Sequence, residues 1–476
     1  MEHKDKVFAC KYHLWEQMMP TKEYELQINY ILLGLSVLFF PFFKTDIFLL
    51  ALLFFSASII LSVVPADSQF FRFFAREADR KAGKLVSMIQ LFLTTAILLA
   101  ISLMIGVDIA GVYKFPIFII GAAFVITTFG DGIADIINII DKEKKQNGND
   151  KQTWQKVYSV KSSITFLVSG SVFAFMIGVL ISHFTVYVPV GMLIFLSVIG
   201  ALTGALLESM TKDEDNIVIP FGSAMVMWLF YMFGYNVDSL YLMKVLVFSF
   251  VLGYLSYRAR VADVSAMLSA TLLGVVIIIS SDIKWFFMLL AFFLLGSMFT
   301  RYKYNFKFTR GIAEGKGGIR GYKNVFSNSL AALTLAVAYG IFPWHGQVLM
   351  AAYLGSVATA CGDTLASEIG VTFKGEPRMI TTFKKTKPGT DGAVSMLGEG
   401  AAFFGSSVIA LLAFVLMPTD LSFVFIVIAG GFIGTNIDSL LGATLQQKGY
   451  LTNNGVNLVA TISGAVVSGL LYYAFL

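Results

Sequence analysis

Long apolar runs, separated by short and mostly basic loops, leave this chain one kind of fold. About fifteen of these runs approach the ~20 residues that carry a helix across a bilayer. Lipid offers no partner to a bare amide, so such runs must close their hydrogen bonds internally, as helices. Of the 476 residues 57% are hydrophobic and only 14% charged, with a mean hydropathy of +0.76, which excludes a water-soluble domain. The expected fold is an all-α polytopic membrane protein of about fifteen transmembrane helices.

The loops set the topology. Threaded from a cytoplasmic amino terminus, the chain leaves only Lys44, Lys114, Lys244 and Lys284 among its Lys and Arg residues on the far side. That bias predicts a multi-pass protein of the cell membrane with the carboxyl terminus outside. The polar start, with Lys4, Lys6, Lys11 and Lys22, lacks a cleavage pattern and is expected to stay attached. Cys10 and Cys361 cannot build a disulfide framework and read as packing residues, and His3, His13, His183 and His345 are too scattered to suggest a base. The expected organisation is a tail with two membrane helices over 1–64, a first membrane domain over 65–256 and a second over 257–476.

A carboxylate inside a membrane helix needs a partner, water or a cation. Asp363, in Gly362-Asp363-Thr364-Leu365-Ala366-Ser367-Glu368, closes an apolar run and precedes a basic loop with Lys374, Arg378, Lys384, Lys385 and Lys387. Pro388-Gly389-Thr390-Asp391-Gly392 follows, and a glycine-bearing backbone beside cations suits polyphosphate. Asp438, in Ile437-Asp438-Ser439-Leu440-Leu441-Gly442, is a second intramembrane acid. Asp131 and Asp135 stand four apart, so on a helix both carboxylates face one way, an arrangement fit for a divalent cation. Two basic loops carry no specific signal. Arg72 to Lys84, with Arg76, Arg80 and Lys81, reads as snorkelling cations that set topology. Arg301 to Lys323 contains Gly315-Lys316-Gly317-Gly318 and Arg320; such a backbone beside cations can wrap phosphate oxygens, but it is no P-loop, and the stretch reads equally as a flexible linker. The polar stretch from Asp141 to Lys156 reads as a surface excursion.

The chain also repeats itself. Gly130-Asp131-Gly132-Ile133-Ala134-Asp135 parallels Gly362 to Ser367; Ser163 and Ser395 follow at matching distances; Glu208-Ser209 parallels Asp438-Ser439; and Asn216 parallels Asn453-Asn454. Both acidic motifs precede a loop on the same expected side, so the duplication reads as parallel.

From about Arg258 onward the sequence resembles the integral-membrane family that includes the phytyl-phosphate kinase of vitamin E salvage. The motifs that carry this are Asn324 to Asn328, Gly362 to Glu368, Lys387 to Ser395, and Ile437 to Thr444 with Asn453 and Asn454. The amino-terminal half is similar, less closely, to the phytol kinase, dolichol kinase and phosphatidate cytidylyltransferase group, through Gly130 to Asp135, Lys161-Ser162-Ser163, Glu208-Ser209 and Asp215-Asn216. That half departs from the group in lacking the Arg-Lys-x-x-His stretch, where Gly83-Lys84-Leu85-Val86-Ser87 stands instead, and in having Asn138 after Asp135.

The resemblance implies CTP as phosphoryl donor, Mg2+, and a prenyl alcohol or prenyl phosphate as acceptor among membrane lipids, with no nucleic-acid partner. It implies catalytic roles for Asp363, Glu368, Asp438, Lys387, Asp131 and Glu208, and magnesium ligation by Asp363, Asp438, Asp131 and Asp135. Nucleotide contacts are implied for Lys384, Lys385, Gly389, Thr390, Gly392, Ser395, Asn324, Asn328, Asn454, Lys161 and Asn216. Phosphoryl transfer asks mainly for positioning and charge neutralisation, which these residue types can supply. A cytidylyltransferase that makes a CDP-linked lipid and an ion-coupled transporter remain the alternatives. Acids gathered near one membrane face favour an enzyme over a transporter with midplane sites.

Overall fold

The computed structural model describes residues 23–107, 114–146, 159–210, 215–313 and 315–475. Cys10, His3, His13, the amino-terminal lysines and most of the 141–156 stretch lie outside them, as do Lys212, Asp213 and Glu214. Among the described residues thirteen helices are long and apolar enough to cross a membrane, and Ile47–Ser62 and Val264–Ser280 are shorter apolar helices. The fold is thus an all-α polytopic membrane protein. Large side chains such as Phe42, Phe48 and Leu470 stand exposed on it, as lipid-facing residues must.

The chain forms two compact units, Met1–Ser239 and Leu240–Leu476. In the first, α1 (Glu23–Gly34) runs on as a 3-10 helix through Pro41 to Phe43, and α2 (Ile47–Ser62) starts on Asp46, whose carboxylate accepts from Leu49 N. Two short helices, α3 (Gln69–Phe74) and α4 (Glu77–Ala82), lead to α5 (Val86–Ile105). Next come α6 (Ile117–Val125), which passes through one π-helical stretch, Ile126–Asp131, into α7 (Gly132–Gln146), and then α8 (Val160–Thr185), α9 (Val190–Met210) and α10 (Asp215–Met232). Every residue of α6 is buried, so this helix is the axis of its unit.

The second unit holds α11 (Ser239–Arg258), α12 (Val264–Ser280), α13 (Ile283–Arg301), the short α14 (Tyr304–Thr309), α15 (Tyr322–Ile341), α16 (Gly346–Gly370), α17 (Met396–Leu416), α18 (Leu421–Leu441) and α19 (Asn453–Phe475). Its axis is α16, against which α13, α15, α17, α18 and α19 all pack. Small residues allow this. A Cβ on Gly355 would lie 2.6 Å from the Gly464 carbonyl oxygen, and one on Gly430 3.0 Å from it, so α16, α18 and α19 meet backbone to backbone.

The same succession of packed neighbours recurs in both units. The helix pairs α5 with α10, α8 with α9 and α9 with α10 correspond to α15 with α19, α17 with α18 and α18 with α19, around α6–α7 and α16 respectively. The repeat read in the motifs is therefore a repeat of five helices.

Candidate active site

In the second unit the motifs meet at one end of the bundle. Helices α15, α17 and α19 begin there, with Asn324, Ser395 and Asn453 in their first turns, while α16 and α18 end there after Asp363 and Asp438. Asp363 lies about two turns from the end of its helix, at 3.6 residues per turn. Between these ends is a cavity of about 360 Å³, lined by Asp363, Glu368, Asp438, Asn324, Asn328 and Ser395 and roofed by Gly389 to Val394.

The Asp363 and Asp438 carboxyl groups lie within hydrogen-bonding reach of each other. Two negative charges that close repel strongly in a low-dielectric site, so the pair calls for a shared proton or a cation. Asp438 Oδ2 and Asn328 Oδ1 are both buried without a hydrogen-bond partner. A buried polar oxygen left unpaired costs about 1–3 kcal/mol and is a sign of a ligand site. Ser395 caps α17, its Oγ accepting from Gly398 N.

The roof is a hairpin in which β1 (Arg378–Met379) pairs antiparallel with β2 (Ala393–Val394). Gly389 and Gly392 take φ of +82° and +78°. Gly392 also packs on the Ala443 backbone, where a side chain would not fit. Gln447 Nε2 donates to the Asp391 carbonyl at 2.8 Å and ties the hairpin to the region after α18. The glycine half of the expected phosphate loop is therefore at the cavity.

Its lysines are not. Lys384, Lys385 and Lys387 are exposed and do not line the cavity, and Lys385 pairs with Glu376 at 2.6 Å. The hydrogen bond from Lys385 holds the Glu376 carboxyl below its ordinary range. The β-pairing leaves residues 384 to 387 off the cavity lining, so the expected nucleotide contacts Lys384 and Lys385 and the expected catalytic Lys387 are not brought to Asp363 and Asp438 here. Glu368 lines the cavity, but its carboxylate pairs with the buried Lys307, whose Nζ also donates to the Phe299 and Thr300 carbonyls. A carboxylate with its charge already matched is a poor metal ligand. Asn454 is off the cavity too; α19 begins at Asn453, so its inward residues are Asn453 and Asn457, one turn apart. That spacing was available in the sequence. Arg320, from the glycine-bearing basic stretch, lines the cavity as well, as do Glu399 and Asn457, to which the sequence assigned no role.

In the first unit, ligand atoms of Asp131, Asp135 and Glu208 lie within 4.8 Å of one another. The corresponding acids of the repeat therefore converge here also. Two of them, Asp131 and Asp135, share an internal cation. Arg76, at the head of α4, places Nη2 3.2 Å from Asp131 Oδ2, 2.9 Å from Asp135 Oδ2 and 2.9 Å from Gln27 Oε1. Its guanidinium sits 4.5 Å over the Tyr30 ring, and the Tyr30 hydroxyl donates to Asn216 Oδ1. Burial opposes the arginine's charge, but Asp131 and Asp135 outweigh it and raise its pKa. This corrects the reading of Arg76 as a snorkelling cation. Nearby, burial raises the Asp79 carboxyl, against hydrogen bonds from the Ser87 and Arg76 amides. Asn216 is bound to Tyr30, and Lys161 stands exposed at the head of α8.

Residues 247–465 match the family described as integral membrane protein DUF92. An uncharacterized membrane protein of Methanocaldococcus jannaschii is 33% identical over 222 residues, which is 47% of this chain and 90% of that protein. One from Synechocystis is 36% identical over 42% of this chain and 78% of its own length. The Arabidopsis thaliana protein VTE6, chloroplastic, is 28% identical over 43% of this chain and 63% of its own. No solved structure matches. The family match falls within the second unit and contains the whole cavity, and on that match and the archaeal similarity the chain belongs to the DUF92 family of integral membrane proteins.

Proposed function

We propose that the second unit is a CTP-dependent, magnesium-requiring phosphotransferase that converts a prenyl phosphate to its diphosphate within the membrane, with the prenyl alcohol as a further acceptor. The observation that carries this is the Asp363–Asp438 carboxyl pair beside two buried, unpaired oxygens, Asp438 Oδ2 and Asn328 Oδ1, under a glycine-bearing roof. Magnesium takes oxygen donors, and these donors fit it. A bound magnesium ion would neutralise charge on the donor phosphates. Asp363 and Asp438 would hold it; the backbone at Gly389 and Gly392 can approach phosphate without a side chain in the way; and Asn324, Asn328, Asn453 and Asn457 offer amides to the nucleotide. Glu368 fixes Lys307 and shapes the wall. CTP and the prenyl acceptor rest on the motif resemblance.

The first unit reads as a divergent prenol-kinase-like half. Asp131 and Asp135 are paired with Arg76, and the activity is assigned to the second unit. The orientation that goes with this reading puts the hairpin and the cavity mouth at the cytoplasmic face.

The test is purified full-length protein in detergent, with Mg2+, labelled CTP, and geranylgeranyl or phytyl alcohol and monophosphate offered separately. A lipid diphosphate should form from the monophosphate and fall by orders of magnitude in Asp438→Asn, an amide being easier to bury than a carboxylate. Pyrophosphate release with a CDP-lipid product would move the reading to a cytidylyltransferase. Proton or sodium flux lost in Asp438→Asn, with no nucleotide-dependent product, would replace it with a transporter.

A further inference from the structure

Five cations of the hairpin segment, Lys374, Arg378, Lys384, Lys385 and Lys387, lie off the cavity lining. Two of them are committed elsewhere. Lys385 pairs with Glu376, and Arg378 Nη1 donates to the Phe383 carbonyl at 3.2 Å. Lys374, Lys384 and Lys387 stand exposed, and no acid among the described residues pairs with them.

The tip of the same hairpin presents an aromatic ring. Phe383 is 68% exposed at a φ of +55°, a left-handed conformation that is costly for a bulky residue. The turn that imposes it is tight: Phe383 N donates to the Met379 carbonyl at 2.8 Å, and Met379 N to the Lys384 carbonyl at 2.9 Å. A ring held outward at the cost of backbone strain, beside unpaired lysines, suits neither a protein core nor a soluble phosphate. The headgroup layer of a bilayer takes aromatic rings and cations together.

The neighbouring α14 carries the same combination at a known level. It starts three residues after the membrane helix α13 ends, so it lies where that span leaves the bilayer. Phe308 on it is 67% exposed, the Arg310 guanidinium lies 4.1 Å from the Phe306 ring centroid, and Lys303 Nζ lies 5.1 Å from that of Tyr302. The hairpin touches the chain just past this helix, since a Cβ on Gly389 would come 2.7 Å from Ile312 Cγ2. It is therefore seated beside an interfacial helix.

We infer that the hairpin tip is a binding surface for anionic lipid headgroups of the surrounding bilayer, with Phe383 set among the headgroups and Lys374, Lys384 and Lys387 on their phosphates. The bound lipid then holds the segment that roofs the cavity. Only the fold and the bilayer enter this inference, so it stands apart from the phosphotransferase reading.

The test uses the full chain in nanodiscs of phosphatidylcholine alone or mixed with phosphatidylglycerol. A spin label on Thr381→Cys, exposed at the tip, leaves Phe383 in place; Cys10→Ser removes a second thiol, and Cys361 is buried. Collisions with oxygen report lipid around the label, and collisions with a nickel chelate report water. Oxygen contact should dominate in mixed discs and nickel contact in neutral ones. At about fivefold per cation, the ratio of inserted to free tip should fall about twentyfold in Lys384→Gln/Lys387→Gln. Phe383→Ser should lower it too, and added salt should lower it in the chain that keeps its lysines. Nickel contact in both kinds of disc overturns the inference, as does shielding from both reagents or equal insertion in both kinds. A tip shielded by inorganic triphosphate in neutral discs and indifferent to phosphatidylglycerol overturns it in favour of a soluble polyphosphate. Should the labelled chain not fold, hydrogen exchange of the unlabelled wild type decides. The Thr381 and Thr382 amides, which have no backbone acceptor in the turn, should exchange more slowly in mixed discs than in neutral ones, and equal rates overturn the inference.

Discussion

Replacing Arg76 with Met should be one of the most damaging single changes in the first unit, and the damage should be reversible by a metal. Asp131 is fully buried and Asp135 nearly so, and both face this guanidinium, itself only 12% exposed. Removing one partner of a buried ion pair costs about 3–5 kcal/mol, because the other charge is left uncompensated. For a unit of 150–250 residues each kcal/mol moves the midpoint by about 2–4 °C, so the first unit should lose about 6–20 °C. Adding Asp131→Asn to Arg76→Met should return part of this by removing a stranded charge. The variant also leaves Asp131, Asp135 and Glu208 converging without their arginine, a geometry that three carboxylates can offer to Mn2+. At a concentration a hundredfold above its dissociation constant the ion would restore about 2.7 kcal/mol. The assay is thermal unfolding in detergent with and without Mn2+, with bound ion counted by electron paramagnetic resonance. A shift below 2 °C in Arg76→Met, or equal Mn2+ uptake at these acids with Arg76 present, would refute the claim that the arginine serves as their cation.

In the second unit, Lys307→Met should cost a similar 3–5 kcal/mol by stranding Glu368, with Glu368→Gln in the same chain recovering much of it in the same melting assay. Lys385→Ala should leave the melting temperature essentially unchanged and alter turnover by no more than about twofold, since its pair with Glu376 is exposed and screened by water; a large loss of activity would return the lysine to the site. The Glu376 carboxyl is lowered in the fold, so what its pair contributes is present above the ordinary value of 4.5 and lost as pH falls through the lowered one. Amide protection in the hairpin, corrected for the intrinsic slowing of exchange in acid, should accordingly fall only at low pH.

The helices and the two acids that meet in the cavity could be read from the sequence for the same reason. An apolar run long enough to cross a bilayer has one available fold, and a carboxylate inside it stands out at once. Asp363 and Asp438 were visible in this way before any contact was known. The cations were not. Arg76 lies 55 residues from Asp131, and Lys307 lies 61 from Glu368. Nothing local tells a loop lysine that sets topology from one that reaches a buried acid. The hairpin lysines drew attention because they flank glycines, while Arg320 sat in a loop that looked like a linker. Asn454, implied by the resemblance, sits off the cavity because α19 begins at Asn453, and each one-residue step turns a helix by about 100°.

The close approach of Gly355, Gly430 and Gly464 also bears on how substrates come and go. Where helix backbones touch there is no layer of side chains to slide or re-pack, so the centre of the second unit behaves as a single stiff body. Opening the cavity by rocking one helix against another would break that contact. The hairpin is different: its two-residue ladder joins only its own strands, and the Gln447 bond and the seat of Gly392 on Ala443 tie it to the bundle. On the function proposed above, exchange of nucleotide would be a matter of lifting a small flap, with the loop and not the helices setting the rate of each cycle.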